Sequence, residues 1–446
     1  MDADAARFWD IPPGRMIAGR VMGAYSYGGL IYPVAAAHLI GTGTQVYATS
    51  TGGTPVLTLR RHRKGSALWI GLPLGYIKAY SDDLPLRSVL RGFLFNIVKV
   101  PHLVAAPGGA GGLILNWHID DDREEEGIPN LVKSGLLRPD IRYEFDVTAG
   151  PDDNVPGDGA GFDACGPNAS LVRLMMRYGD VGDHGGWLHN WFSFQLAHGQ
   201  LTPAQTEQYV RLNSQCLQSI TGTPVRTYAA PEGVHPQPDF TRILEKTGIN
   251  AYYYAGDIGS APNRAFAKGT IVSPAVWAFP TMPDGFYASL GEMVGAWLSP
   301  EDVDRWLTAT VDFIVDNSTI RLVYSHSYDL LEATGYVPVL NRLLDRLQAL
   351  QREGRIRVQP MEYFATFLTR FVQTRASYSL QGRSLLVTLE NPGQLKDIAL
   401  AVPNGWRLDP ASATGSVSSR AAPGGGSVLT VADGLDRVQL RLLRDA

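Results

Sequence analysis

The chain has 446 residues, 45% of them hydrophobic and 18% charged. That is material for two or three domains, and it excludes a disordered chain or a highly charged nucleic-acid binder. With 39 basic against 43 acidic residues the net charge is −4, so no global field draws the chain to phosphate backbones or anionic lipid. The 48 glycines and 29 prolines exclude a long coiled coil and point to a loop-rich α/β or β-containing protein.

The start, Met1-Asp2-Ala3-Asp4-Ala5-Ala6-Arg7, lacks the basic region and apolar run of a signal peptide. Leu30 to Ile40 is apolar but is broken by Pro33 and His38, and it is too short to span a bilayer. No transmembrane segment is expected. Residues 45–48 and 56–59 read as strands, and 67–72 as a buried one. The basic run from Arg60 to Gly65 between them reads as a solvated hairpin tip. Leu84 to Val100 looks helical, with Leu86, Leu90, Phe93 and Ile97 on one stripe.

Ala105-Ala106-Pro107-Gly108-Gly109-Ala110-Gly111-Gly112 reads as a linker. From Leu113 to about Phe371, strand and helix signals alternate. Leu113 to Ile119 is a buried strand, and Asn168 caps a helix reaching Tyr178. Thr202-Pro203 opens another helix, and Ile249–Tyr254 and Ile320–Tyr324 are strands. Val337 to Glu353 is an amphipathic helix, Ile356–Val358 a strand, and Pro360 to Phe371 a last helix. This alternation predicts a parallel (β/α) barrel or doubly wound sheet. Beyond Gln373 the runs 385–389, 397–402, 427–431 and 437–442 predict a small β-sandwich. The expected division is 1–108, 109–372 and 373–446. Cys165 and Cys216 form neither a disulfide framework nor a CxxC site; two buried thiols or one bridge both remain open.

The chemistry concentrates at predicted strand ends, which face the active site in parallel α/β folds. His118-Ile119-Asp120-Asp121-Asp122 sets three adjacent carboxylates there, which repel one another unless a cation or acid/base work employs them. In Asp183-His184-Gly185-Gly186-Trp187-Leu188-His189-Asn190-Trp191, two imidazoles on a glycine turn can converge on one ion. One carboxylate with two histidines suits a divalent metal with open positions. Trp187 and Trp191 flank the pair and offer flat faces to sugar rings. His326, at a third strand end, is a candidate general acid.

This ordered set resembles the NodB-type polysaccharide deacetylases, metal-dependent carbohydrate esterases with a distorted (β/α) barrel, over about residues 113–372. Their TFDDG motif resembles Ile119-Asp120-Asp121-Asp122, with Asp122 in place of glycine. The resemblance implies Asp120 as catalytic base, Asp121 as metal ligand, and a divalent cation of the zinc type. Their H[ST]xxH motif looks like His184 to His189, implying both as ligands, with one extra residue absorbed by Gly185-Gly186. Their LxH motif resembles Tyr324-Ser325-His326 and implies His326 as general acid. RPPYG is present only as Ala229-Ala230-Pro231-Glu232-Gly233, with Arg226 the nearest arginine and Glu232 within the motif. Asp257 is the nearest match to the fourth motif. The first zone resembles part of an amidotransferase-like α/β domain without its nucleophilic cysteine, which implies an accessory, non-catalytic unit.

The expected function is removal of N- or O-acetyl groups from a polysaccharide, and family habit implies a place outside the cytoplasm. Two alternatives stand beside it. One is a TIM-barrel glycoside hydrolase pairing Asp120 or Asp122 with Glu232. The other is a non-catalytic polysaccharide-binding protein with a degenerate barrel.

Overall fold

The structure, a computed structural model, describes residues 35, 42–50, 52–63, 65–75, 84–254, 260–284, 287–413, 415–422 and 425–445. In the first zone, β1 (Thr44–Thr49), β2 (Pro55–His62) and β3 (Gly65–Ile70) pair antiparallel in sequence order. Arg60, Arg61, His62 and Arg63 are exposed, so the basic run is a hairpin tip. A helix, α1 (Leu84–Arg91), follows and passes into a π turn at Gly92–Ile97. The described residues of this zone, expected as an α/β accessory unit, thus form an antiparallel meander and one helix.

A two-residue strand, β4 (His102–Leu103), precedes the barrel. The barrel strands are β5 (Gly111–Ile119), β6 (Tyr143–Val147), β7 (Gly179–His184), β8 (Thr227–Ala229) and β9 (Ala251–Tyr254). After a small hairpin of β10 (Phe266–Ala267) and β11 (Thr270–Ile271) come β12 (Trp277–Pro280), β13 (Ile320–His326) and β14 (Ile356–Val358). They lie in the order β12-β9-β8-β7-β6-β5-β13, with β14 also on β5, and every pairing is parallel. Thr281, just past β12, makes a parallel bridge to Leu322 of β13, which brings the two edges together. The sheet is a distorted (β/α) barrel.

Parallel strands need crossovers, and helices supply them: Glu124–Lys133, Ala169–Met175, Pro203–Thr221, Asp239–Thr247, Pro300–Asn317, Val337–Arg352 and Met361–Gln373 among others. Thr202 caps Pro203–Thr221 with a full capping box. Asn168 behaves otherwise: its side chain donates to Glu125 Oε1 and the Phe162 carbonyl, and its helix ends at Met175. All nine residues of β5 are buried, as expected of a strand covered on both faces. Its alternation sorts the side chains. Leu113, Leu115, Trp117 and Ile119 join the core beneath the helices, whereas Ile114 belongs to a second core with Phe279, Leu322 and Phe364. Asn116, His118 and Asp120 continue the Ile114 row.

The C-terminal zone is a sandwich of two four-stranded antiparallel sheets. One runs β15-β16-β21-β18, from β15 (Arg375–Gln381), β16 (Ser384–Glu390), β18 (Trp406–Leu408) and β21 (Arg437–Arg444). The other runs β19-β20-β17-β4, from β17 (Ala399–Val402), β19 (Val417–Ala421) and β20 (Ser427–Val431) together with β4. The sandwich thus takes its edge strand from the segment before the barrel.

The glycine run is no loose linker, a correction to the sequence reading. Residues 106–112 are all buried, and Gly108 and Gly109 have φ of 61° and 67°. The Gly108 amide donates to the Asp397 carbonyl, and the Thr430 hydroxyl donates to the Gly108 carbonyl. At Gly109 a Cβ would meet Val428 at 2.5 Å. The run is a seam that locks barrel to sandwich, and glycine is required because side chains have neither the conformation nor the room. Cys165 and Cys216 form a disulfide, so of the two open readings the bridge is the one realised; it ties a loop to the helix Pro203–Thr221.

Candidate metal centre

Three strand ends and one helix start build the site. The register sets His118 of β5 beside His326 of β13 and beside Asp146 of β6. His184 ends β7, opposite Ala229 of β8. His189 opens the helix His189–Ala197. The five-residue step between the two histidines turns at Gly185, whose φ is 75°, and passes Gly186, where a Cβ would press on Phe192 at 2.7 Å.

Asp120 sits at the centre. Its Oδ1 lies 3.0 Å from His184 Nε2 and 3.7 Å from His189 Nε2, and the two Nε2 atoms are 3.0 Å apart. Its Oδ2 lies 3.3 Å from His326 Nε2 and 3.5 Å from the Tyr328 hydroxyl. The remote ring nitrogens are all engaged. His184 Nδ1 is 3.1 Å from the Ala229 carbonyl; His189 Nδ1 is 3.1 Å from Asn190 Oδ1 and 3.8 Å from Asp153; His326 Nδ1 is 3.1 Å from Asp329 Oδ2. A carbonyl or carboxylate there accepts a ring proton, so in His184 and His189 the Nδ1 carries the hydrogen and the Nε2 turns a bare lone pair inward.

Three lone-pair donors converging in a buried space repel one another unless a positive charge lies between them. Asp120 Oδ1 is buried and has no aligned hydrogen-bond donor, although it touches His184. Such an orphaned acceptor costs free energy, and a cation removes the cost. Two nitrogens on a tetrahedral zinc lie roughly 3.3 Å apart, close to the spacing present. Asp120, His184 and His189 therefore fit a divalent ion, with one carboxylate and two imidazoles as the donor set.

The electrostatics agree. Burial pushes Asp120 up, but the imidazoles of His189, His326 and His184 outweigh it and hold the carboxyl well below its ordinary range. Burial lowers His184, and His118 still further with help from the neighbouring imidazoles; both are neutral rings, the form that binds metal. Burial works against charge on His326 as well, yet Asp120 and Asp329 raise it to about 9.

Asp121, expected as a ligand, is placed elsewhere. Arg123 Nε and Nη2 hold its carboxylate at 2.5–3.0 Å, and Asp120 occupies the position against the histidines. The reason is the strand's alternation: Asp120 continues the inward row of Asn116 and His118, and its successor faces the other way. Arg123 also lies over the Tyr328 ring, 3.6 Å from its centroid. Arg226 is at the wrong end of the barrel to support a base. It precedes β8, donates to the Gly248 carbonyl at 2.8 Å and lies 4.0 Å from Glu362, whereas the site lies past the other end of that strand. Glu232 follows β8 on the site's side, exposed and with φ 52°. Trp187 and Trp191 are half-buried and pack into the cores, Trp191 against Tyr209. Asp122 is exposed in the turn after Asp121, and Asp257 lies outside the described residues.

Sequence reasoning gave no role to His118, Asp153 or Asp329. The period-two row through Asn116 and Asp120 was the signal for His118. Asp153 and Asp329 sit in loops and carry no such signal.

No family model matches the chain, and neither does any curated protein sequence. Solved structures do resemble part of it. One is a candidate polysaccharide deacetylase from Mycobacterium smegmatis, at 14% identity and TM-score 0.44, covering 60% of this chain and 95% of that one. Another is the chitin deacetylase of Colletotrichum lindemuthianum, at 14% identity and TM-score 0.34, covering 55% and 84%. A third is a family 4 carbohydrate esterase pseudoenzyme from Bacillus anthracis, at 12% identity and TM-score 0.32, covering 53% and 62%. These likenesses are distant, and what the site can do is read from its own geometry.

Proposed function

We propose that the chain is a metal-dependent hydrolase that removes acetyl groups from a polysaccharide. The observation that carries this reading is Asp120 Oδ1, buried without a donor and faced by the Nε2 atoms of His184 and His189. The resemblance of the strand-end motifs to NodB-type deacetylases supports the acetylated sugar as substrate. Among the described residues no helix is long and apolar enough to cross a membrane. The Cys165–Cys216 disulfide fits an oxidising compartment outside the cytoplasm.

A divalent ion held by Asp120, His184 and His189 would supply a Lewis acid for the acyl carbonyl and would acidify a water. The chain's own residues prepare that position. The Ala229 carbonyl fixes the His184 ring, and Asn190 fixes that of His189. Asp153 accepts from the Asn190 amide at 3.1 Å and from its side chain at 2.8 Å, which holds the first turn of the His189 helix in place. The Tyr328 ring stacks on His326 at 5.0 Å, and Arg123 covers Tyr328 in turn, so the stack screens the carboxylate from bulk water on that side. Low local dielectric strengthens every charge interaction inside.

Replacing Asp120 or His184 with alanine and following both bound metal and acetate release from N-acetylated oligosaccharides tests the proposal. Loss of both together is expected. A metal-free variant with undiminished acetate release would end it. Tight metal binding in the parent chain with no acetate release from any acetylated sugar would favour the non-catalytic alternative.

A further inference from the structure

We infer that Trp297 is a stacking platform for a sugar ring, set on the rim of the barrel where a bound polysaccharide leaves the site. The identity of the polymer rests on the function proposed above, whereas the platform itself rests on the residue and its surroundings.

Trp297 occupies a position that suits glycine. The short helix Leu290–Gly295 ends in a paired turn. The Trp297 amide donates to the Val294 carbonyl at 3.0 Å, and the Leu298 amide to the Met293 carbonyl at 3.1 Å. That closure needs one left-handed residue, and glycine is its usual occupant. Trp297 holds it with φ of 58°, a conformation that a Cβ disfavours. The turn is well anchored without the indole. Val294 and Leu298 pack on the core beneath the helices, the Tyr336 hydroxyl donates to the Leu298 carbonyl at 2.5 Å, and Ser299 caps the next helix, Pro300–Asn317. The Trp297 side chain is 92% exposed, whereas tryptophan is highly buried on average. A strained backbone and a bare aromatic ring each cost stability, and the packing of the turn offsets neither. Sparse backbone conformations of this kind persist where a ligand is clamped.

Its place in the fold selects the ligand. β12 runs parallel to its neighbours, so the chain after it emerges at the end of the barrel that carries the site. Gly291 of the short helix lies so close to Asp329 that a Cβ there would strike Oδ2, the oxygen 3.1 Å from His326 Nδ1. At the rise of a helix, the step from Gly291 to Trp297 is about 9 Å. A polymer anchored at the metal centre reaches that far, and a single acetylated sugar does not. A sugar ring offers a flat face of C–H groups edged by hydroxyls. A lone indole matches that face while the hydroxyls stay in water. A protein partner would need a contiguous apolar patch. Among the described residues, no other large apolar side chain between Ile271 and Val372 is exposed.

The experiment compares the full chain with Trp297→Gly and Trp297→Tyr on N-acetylglucosamine and on its β-1,4-linked hexamer. It reads KM and kcat for acetate release, and Kd by calorimetry. Trp297→Gly is expected to raise KM and Kd for the hexamer roughly tenfold, the scale of a lost aromatic anchor, with kcat within about twofold and the monomer unaffected. Its denaturant midpoint is expected to match or exceed that of the parent, because glycine relieves the left-handed strain. Trp297→Tyr keeps a ring and should retain most of the hexamer affinity. Unchanged hexamer binding in Trp297→Gly would overturn the platform and leave the proposed function intact. A midpoint well below the parent's would also overturn it, by making the indole a structural group. Hexamer binding without acetate release, weakened by Trp297→Gly, would sustain the platform and overturn the deacetylase. Neither binding nor release in the parent would overturn both.

Discussion

Asp121 gives both carboxylate oxygens to Arg123, at 2.5–3.0 Å, while Asp120 one residue earlier gives both of its own to histidines. Adjacent residues of one type thus receive opposite assignments from the pleat of a single strand end. Asp121→Ala should therefore keep its full complement of metal, whereas Asp120→Ala should bind none. Because the Arg123 side chain is 55% exposed, loss of its partner should cost no more than about 1 kcal/mol. Elemental analysis beside a urea melt checks both statements. A metal-free Asp121→Ala variant would return the ligand role to Asp121.

Arg226 lies beyond the opposite end of β8 from the site, and its guanidinium donates to the Gly248 carbonyl. Arg226→Ala should leave kcat within about twofold of the parent, and should cost roughly 1 kcal/mol of stability for the lost hydrogen bond. Steady-state kinetics decides: a large fall in kcat at unchanged metal content would mean that the arginine reaches the chemistry after all.

The barrel interior carries its own pH dependence. Burial pushes Asp146 up to about 8, against the hydrogen bond donated by Asn116 and with the help of the Asp183 charge. The folded chain thus keeps a proton that the unfolded chain, with an ordinary value of 3.8, has already released at neutral pH. Stability from this group is fully present below about pH 4 and is lost as pH rises through about 8. Thermal midpoints measured between pH 5 and 8 should therefore fall with pH. Asp146→Asn should flatten the slope without removing it, since burial also raises Glu144, and Asp183 to about 7. An identical slope in the variant would contradict this.

The seam between barrel and sandwich is testable at Gly109. Its φ of 67° and the Val428 methyl 2.5 Å from any added Cβ predict that Gly109→Ala costs roughly 1–3 kcal/mol. Denaturant midpoints measure it. A neutral effect would mean that the run is the loose linker its composition suggested.

These contrasts explain what could be read from the chain beforehand. The long periodic elements were legible because periodicity is local: β5, the helix after Thr202, the helix Val337–Arg352 and the final sandwich strands all follow from spacing. The histidine pair was legible too, since its glycine turn lies in the same nine residues. The choice between Asp120 and Asp121 was written in the row Ile114, Asn116, His118, but it depends on how far the strand pleat extends past Ile119. Arg226 misled because β8 is only three residues long, and proximity in sequence hid that the strand separates it from the site. The buried glycine seam, the Cys165–Cys216 bridge across 51 residues and the loan of His102–Leu103 to the sandwich are long-range outcomes. No local pattern encodes them.

The claim that a cation on Asp120, His184 and His189 drives acetyl removal is tested most directly by acetate release from an N-acetylated oligosaccharide. The measurement compares the untreated chain, the chelator-stripped chain, and the stripped chain resupplied with Zn2+, with His184→Ala run in parallel. The account predicts release that disappears on stripping, returns with the ion, and falls at least about a hundredfold in the variant. Acetate release by the stripped, metal-free chain at the untreated rate would contradict it.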